Sequence, residues 1–126
     1  MIKKVLGAFV VLSLIATTII AGCTGHNTST DPNPVHLGDA NFKVLSITIK
    51  KGEKITLIND SVEVHIISNG TWENSTPHPK LEPGAPKINI QVDGNSSRTI
   101  GPFNTAGTFN IYCTIHTGMA MTVLVK

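Results

Sequence analysis

The chain has 126 residues, 40% of them hydrophobic and only 14% charged, with ten Lys and Arg against eight Asp and Glu. This length fits one domain of ordinary size. The small net charge of +2 argues against a nucleic-acid-binding protein, because phosphate backbones select strongly basic surfaces. Length and composition therefore indicate the size of the domain, and the fold class must be inferred from the predicted elements.

The first element is a predicted export signal over residues 1–22. Lys3 and Lys4 precede an apolar stretch over residues 5–20, and small residues follow. Residues 20–23 read Ile-Ala-Gly-Cys, which is similar to a bacterial lipobox, where the signal is removed and the cysteine receives lipid. We expect Cys23 to anchor the protein extracytoplasmically, in the periplasm or on the outer face of the cell membrane. An ordinary cleaved signal and an uncleaved transmembrane helix are the alternatives.

A polar segment follows the signal. Residues 24–34 are Thr, Ser, Asn, Asp, Gly and Pro with almost no apolar side chain, so burial cannot offset the entropy of ordering them. We predict a lipid-anchored flexible tether over residues 23–35 and a folded domain over residues 36–126. Loss of Lys3 and Lys4 with the signal leaves the mature chain with eight basic and eight acidic residues, and hence close to neutral.

The domain is predicted to be all-β. Strand-forming runs alternate with turn dipeptides such as Lys51-Gly52 and Asp93-Gly94. This pattern favours an antiparallel β-sandwich of about seven to eight strands. The segment over residues 72–86 holds four prolines, which argues against ladder pairing and favours an ordered surface loop. The strand candidates are residues 42–50, 54–58, 64–68, 87–92, 97–102, 108–113 and 121–126.

The C-terminal region brings together residue types that bind metals. Cys113, His116 and Met119 fall within one short loop, and His65 lies on another strand candidate. Taken singly, each has an ordinary structural interpretation as a buried thiol, a core histidine or a gap-filling methionine. Taken jointly, two imidazoles, one thiolate and a thioether suit copper, because soft sulfur ligands favour Cu(I), whereas zinc usually takes further Cys or His ligands. With Cys23 acylated, Cys113 is the only remaining thiol, and a metal bond gives a reason for its presence in an exported protein.

Two segments resemble a known family. Residues 105–116 read Thr-Ala-Gly-Thr-Phe-Asn-Ile-Tyr-Cys-Thr-Ile-His, and residues 51–60 read Lys-Gly-Glu-Lys-Ile-Thr-Leu-Ile-Asn-Asp. Both resemble plastocyanin- and azurin-type cupredoxins, and the Cys-x-x-His-x-x-Met spacing is similar to that of amicyanin. The resemblance implies a cupredoxin-like Greek-key β-sandwich with one type 1 (blue) copper ion, cycling between Cu(I) and Cu(II). It implies that the copper ligands are His65, Cys113, His116 and Met119.

Two positions depart from the family pattern. Met121 also follows Cys113 and is the alternative axial ligand; the valine alternation after Met119 favours Met119. Ile66 stands where several members carry an asparagine that braces the cysteine loop. The side chain of Asn59, or a neighbouring backbone amide, is then expected to brace it.

The resemblance implies a monomeric one-electron carrier between extracytoplasmic redox partners, which would make transient contact near His116 through a patch that includes Ile115, Gly118 and Pro77. A copper-binding lipoprotein for copper storage or delivery is the alternative, and a metal-free adhesion module is a third possibility. An enzyme is not expected, because a complete ligand set leaves no open position for substrate. The other histidines, His26, His36 and His78, are expected to be exposed and not to bind metal.

Overall fold

The computed structural model describes residues 31–126. The predicted signal, Cys23, His26 and most of the predicted tether lie outside the described residues. The described part of the chain is all-β, as predicted, with nine strands where seven to eight were expected. It contains no helix long and apolar enough to cross a membrane. The strands are β1 (Pro34–Leu37), β2 (Ser46–Ile49), β3 (Glu53–Asn59), β4 (His65–Glu73), β5 (Thr76–Pro79), β6 (Asn89–Val92), β7 (Ser97–Phe103), β8 (Gly107–Cys113) and β9 (Ala120–Val125).

The strands form two sheets. One has the order β1-β3-β7, and the other has the order β2-β9-β8-β4-β5, with β6 paired to β4. Alternate residues of each strand point to the same face. On β8 the inward set is Phe109, Ile111 and Cys113, and all three are buried. The apolar core therefore lies between the sheets, and Cys113 belongs to its edge.

Two strand pairs differ from the predicted antiparallel arrangement. β1 runs parallel to β3, and β2 runs parallel to β9. Parallel neighbours need crossover connections, and here β1 and β2 are consecutive in the chain but belong to different sheets. The N-terminal segment thus crosses between the sheets, which local hydrophobic alternation does not reveal.

The first strand also begins earlier than the predicted domain boundary at residue 36. Pro34 and Val35 belong to β1, and Val35 is fully buried in the core. The predicted boundary followed the polar composition of residues 24–34, whereas Pro34 can begin β1 because a proline at the start of an edge strand interrupts no ladder bond. His36 also lies within β1, which was not among the predicted strands.

The predicted irregular loop over residues 72–86 is wrong for its first half. β4 continues to Glu73 and pairs with β5 in a hairpin whose turn is Asn74-Ser75. Both turn residues have positive φ, 47° and 62°, as a two-residue type I′ turn requires. Pro77 and Pro79 are tolerated because β5 is an edge strand. Residues 80–88 form the irregular remainder.

One end of the sandwich carries the candidate site. We define this site end as the loops over residues 38–41, 60–64, 93–96 and 114–119. The loops are joined by backbone hydrogen bonds: the Asp60 amide donates to the Leu37 carbonyl at 3.1 Å, and the Asn95 amide donates to the Ser61 carbonyl at 2.8 Å. These bonds fix the loops against one another.

Candidate metal centre

His65 is the first residue of β4 and is completely buried. Among the described residues, neither of its ring nitrogens makes a hydrogen bond of standard geometry, although the Gly38 backbone lies close enough to raise its pKa. An imidazole removed from water without partners costs about 1–3 kcal/mol. Such a group is expected where another ligand, such as a metal ion, completes its bonding.

The loop that leads into His65 is held by Asn59, the last residue of β3. Its side-chain NH₂ donates to the carbonyl of Glu63 at 2.6 Å and to that of Asp93 at 3.0 Å. Its Oδ1 accepts from the amide and the hydroxyl of Ser61 at 3.0 and 2.9 Å. Because Asn59 is buried, these bonds connect β3, the loop over residues 60–64 and the end of β6, and so fix the point at which His65 enters β4.

Cys113 is the last residue of β8 and starts the tight loop to β9. Its amide donates to the Met119 carbonyl at 2.9 Å, and the Met119 amide donates to the His116 carbonyl at 3.1 Å. Gly118 has φ +78°, a left-handed conformation that glycine adopts without strain. The loop is therefore closed on itself by its own backbone.

The Cys113 loop is also bound to β4. The Thr114 amide donates to the Ile66 carbonyl at 2.8 Å. This answers the question raised by Ile66: a backbone amide braces the loop, whereas Asn59 braces the segment before His65. An asparagine at position 66 is therefore not required for the connection.

Three of the predicted ligands meet at this point. The potential ligand atoms of His65, Cys113 and His116 all lie within 4.8 Å of one another. Cys113 Sγ is 3.3 Å from His116 Nδ1, and the two imidazole rings have centroids 4.8 Å apart at an interplanar angle of 56°. His65 and Cys113 are buried and His116 is half-buried. In the described part of the chain, no other set of three His, Cys, Asp or Glu residues forms such a cluster.

The environment favours the neutral form of His65. Burial lowers its pKa below the ordinary value of 6.5, and the neighbouring His116 lowers it further. The Gly38 backbone and the carboxylates of Glu63 and Asp39 act in the opposite direction and are the weaker influences. A neutral imidazole has a free lone pair, which is the form that binds a metal.

The donor set fits a soft, redox-active metal. Two imidazoles and one thiolate around a single point are typical of a copper site in which a weak fourth ligand completes the coordination. The buried, unpartnered ring of His65 is explained if it binds this metal. Met119 adds a thioether nearby, since it is 2% exposed and its backbone closes the ligand loop.

The remaining described histidines lie elsewhere. His36 Nδ1 is 2.8 Å from Asp60 Oδ2, and His78 Nε2 is 3.5 Å from Glu73 Oε2. Both side chains are 47% exposed, as expected. Neither belongs to the metal cluster.

Sequence reasoning missed Trp72. Its indole Nε1–H donates to the Cys113 carbonyl at 2.9 Å. The chain's single tryptophan falls in a polar, proline-rich segment. A large aromatic side chain in such a segment is expected to pack against another part of the fold. The erroneous loop prediction concealed the strand that brings it there.

Comparison with known proteins identifies the class. Residues 30–126 match the family described as copper binding proteins, plastocyanin/azurin family. The chain therefore belongs to this family, its cofactor is copper, and its candidate ligands are the four predicted residues. No curated protein matches the sequence significantly.

Solved structures show the same fold. Amicyanin from Paracoccus versutus (Thiobacillus versutus) superposes with a TM-score of 0.59 at 20% identity, covering 79% of this chain and 86% of that protein. A reduced amicyanin variant with tyrosine in place of tryptophan gives 0.59 at 18% identity, over 79% and 87% of the two chains. The Cu(I) form of a methionine-to-alanine variant of amicyanin gives the same values. The chain thus has the cupredoxin fold that the sequence predicted.

Proposed function

We propose that this protein is a type 1 blue copper protein that carries one electron at a time between redox partners. The observation that carries the proposal is the cluster of His65, Cys113 and His116 at the site end, with the His65 ring buried and unpartnered. Bound copper supplies one-electron chemistry, and soft sulfur donors favour its reduced form. The polypeptide supplies fixed ligands and a shield from water.

Met119, and not Met121, is proposed as the axial ligand. Met121 pairs with Ile111 in the β8–β9 ladder. Met119 comes two residues earlier on the same face, and its carbonyl accepts from the Cys113 amide. Directly opposed residues have Cβ atoms about 4.5–5.5 Å apart, and diagonal neighbours are about 7–8 Å apart. Met119 is therefore one ladder step closer to the thiolate than Met121, although both side chains are buried.

The proposed surface for electron exchange surrounds His116. His116 is half-buried, and Ile115 beside it is 51% exposed. Val62, which is 76% exposed, lies in the loop before His65 and adds apolar surface at the same end. A small apolar surface suits transient redox complexes, whose interfaces bury less than about 1,200 Å² in total. Gly118 and Pro77, also predicted for this patch, are exposed.

We further propose that the protein works outside the cytoplasm on a lipid anchor. The support is the sequence pattern that ends at Cys23, which lies outside the described residues. Labelling of growing cells with a radioactive fatty acid should mark the native chain and not Cys23→Ser. An unlabelled native chain would remove the anchor from the proposal while leaving the copper site untouched.

The central test is the visible spectrum of the copper-loaded protein. We expect added Cu(II) to give an intense blue thiolate-to-copper absorption band in the native chain and none in Cys113→Ser. Reversible oxidation and reduction without loss of copper to a chelator would support electron transfer. Loss of copper on each reduction would instead favour the storage or delivery alternative, and an uncoloured native chain would refute both the site and the function.

The axial ligand has its own test. Met119→Leu should keep the blue colour but change the reduction potential, because the weak axial ligand tunes it. Met121→Leu is the matched control, since it makes the same change one ladder step away. A larger effect of Met121→Leu would show that the axial assignment is wrong.

A further inference from the structure

The indole of Trp72 makes the hydrogen bond that completes the backbone bonding of the copper cysteine. Nε1–H donates to the Cys113 carbonyl at 2.9 Å across 41 residues of sequence. The Cys113 amide is already bonded to Met119, and the next amide, Thr114, is bonded to Ile66. With Trp72 included, both polar backbone groups of Cys113 have partners, and its thiolate is left for the metal.

The local fold brings Trp72 to this position. The backbone at Gly70 has φ +132°, at the point where β4 stops pairing with β8 and begins to pair with β5. A Cβ at position 70 would overlap the His78 carbonyl oxygen and lie 2.9 Å from the Tyr112 ring. Tyr112 is buried beneath the hairpin, and the Trp72 ring meets it edge-on, with centroids 5.9 Å apart at 82°. The hairpin thus holds the indole in one orientation, with its N–H directed at Cys113.

We propose that Trp72 is a positioning residue for the copper ligand Cys113, acting through this hydrogen bond and not through ring packing. The inference rests on the proposed copper site. Groups that orient metal ligands from outside the coordination shell commonly change metal affinity about 10–100-fold when removed. The N–H also presents the positive end of its dipole toward the cysteine, which disfavours the more positive Cu(II) relative to Cu(I). Removal of the donor should therefore lower the reduction potential.

Two substitutions separate the hydrogen bond from the packing. Trp72→Phe keeps an aromatic ring against Tyr112 and removes the donor. Trp72→Gln removes the ring and places an amide N–H donor on a side chain of similar reach. Both are made in the full-length chain and measured beside the native protein for reduction potential, blue band energy and rate of copper loss to a chelator.

We expect Trp72→Phe to lower the potential, shift the band and release copper about ten times faster, and we expect Trp72→Gln to recover part of each property. Because the chain has one tryptophan, biosynthetic replacement by benzothienylalanine substitutes sulfur for the indole N–H with little change of shape. This form should reproduce the Phe results and provides the test if Trp72→Phe does not fold.

The metal-free protein supplies a readout that does not depend on copper. Alkylation at Cys113, followed by peptide mass spectrometry, should be faster in Trp72→Phe than in the native chain, because the carbonyl that fixes this residue has lost its partner. If the native protein is blue but its potential, band and alkylation rate match those of Trp72→Phe, the proposed role of Trp72 is overturned and the proposed copper site is not. Native-like values in Trp72→Phe together with changed values in Trp72→Gln would also overturn the role of Trp72, because they would show that the ring packing matters and the N–H donor does not. A native chain that forms no blue site would instead overturn the proposed function.

Discussion

The sharpest stability prediction concerns Asn59, whose side chain fixes the segment before His65. Asn59→Ala removes an amide that donates to the carbonyls of Glu63 and Asp93 and accepts from the amide and hydroxyl of Ser61. The alanine side chain replaces none of these bonds. Because Asn59 is buried, some of its former partners lose their bonds without gaining access to water.

The magnitude follows from the number of bonds. Four hydrogen bonds at a net value of about 0.5–1.5 kcal/mol each give about 2–6 kcal/mol, and we expect about 3–4 kcal/mol because relaxed loops recover some bonds to water. The whole domain is expected to be stable by only about 5–15 kcal/mol. Loss of this one side chain therefore removes a large part of the stability of the metal-free protein.

The assay is urea unfolding of the metal-free protein. With a denaturant dependence of about 2 kcal/mol per molar, the midpoint should fall by about 1.5–2 M. Asn104→Ala is the matched control, since Asn104 is exposed and surface changes usually stay within about 0.5 kcal/mol. If Asn59→Ala lowers the stability by less than about 1 kcal/mol, the network does not hold the loop, and Asn59 does not determine where His65 enters β4.

Three further predictions test Gly70, the buried imidazole and the metal. Gly70→Ala should cost at least about 2 kcal/mol in urea unfolding, because strain at positive φ adds to overlap with the His78 carbonyl; Gly52→Ala, at φ +85° in open space, should cost only about 1 kcal/mol. The stability of the metal-free protein should fall as the pH drops below 6.5, because the lowered pKa of His65 means that the unfolded chain binds the proton first. The free energy of unfolding of the native chain should change with pH more steeply than that of His65→Leu, by at most about 1.4 kcal/mol per pH unit. Equal slopes in the two proteins would refute the lowered pKa of His65. Copper at 100 times its dissociation constant should stabilise the native chain by about 2.7 kcal/mol and His65→Leu far less, as calorimetry can measure.

Much of the site could be predicted from the sequence because its ligands lie in a local motif. Cys113, His116 and Met119 fall within seven consecutive residues, so one loop determines their proximity. His65 was harder, since it comes from another strand, and only the resemblance indicated that β4 and β8 are neighbours. The pairing of Ile67 with Cys113 is the physical reason why His65, two residues earlier, reaches the same end.

The error over residues 72–86 arose because prolines were interpreted without knowledge of which strands lie at an edge. Pro34 begins β1, and Pro77 and Pro79 lie in β5, where the missing N–H costs no ladder bond. The turn Asn74-Ser75 also lacks the glycine that signals most type I′ turns. Edge position is a property of the complete sheet, and local sequence does not contain it.

The bonding pattern explains why a small sandwich suits the proposed electron transfer. Exchange is fastest when ligands move little between oxidation states, and in this fold the ligand positions are set by bonds that do not involve the metal. Asn59 fixes the segment before His65, while Met119 and Trp72 bond the backbone of Cys113. In the metal-free fold the buried ring of His65 makes no hydrogen bond of standard geometry, at a cost of about 1–3 kcal/mol, and copper binding at one ring nitrogen reduces that cost. A site preformed in this way leaves copper little freedom to choose a different geometry when it gains or loses an electron.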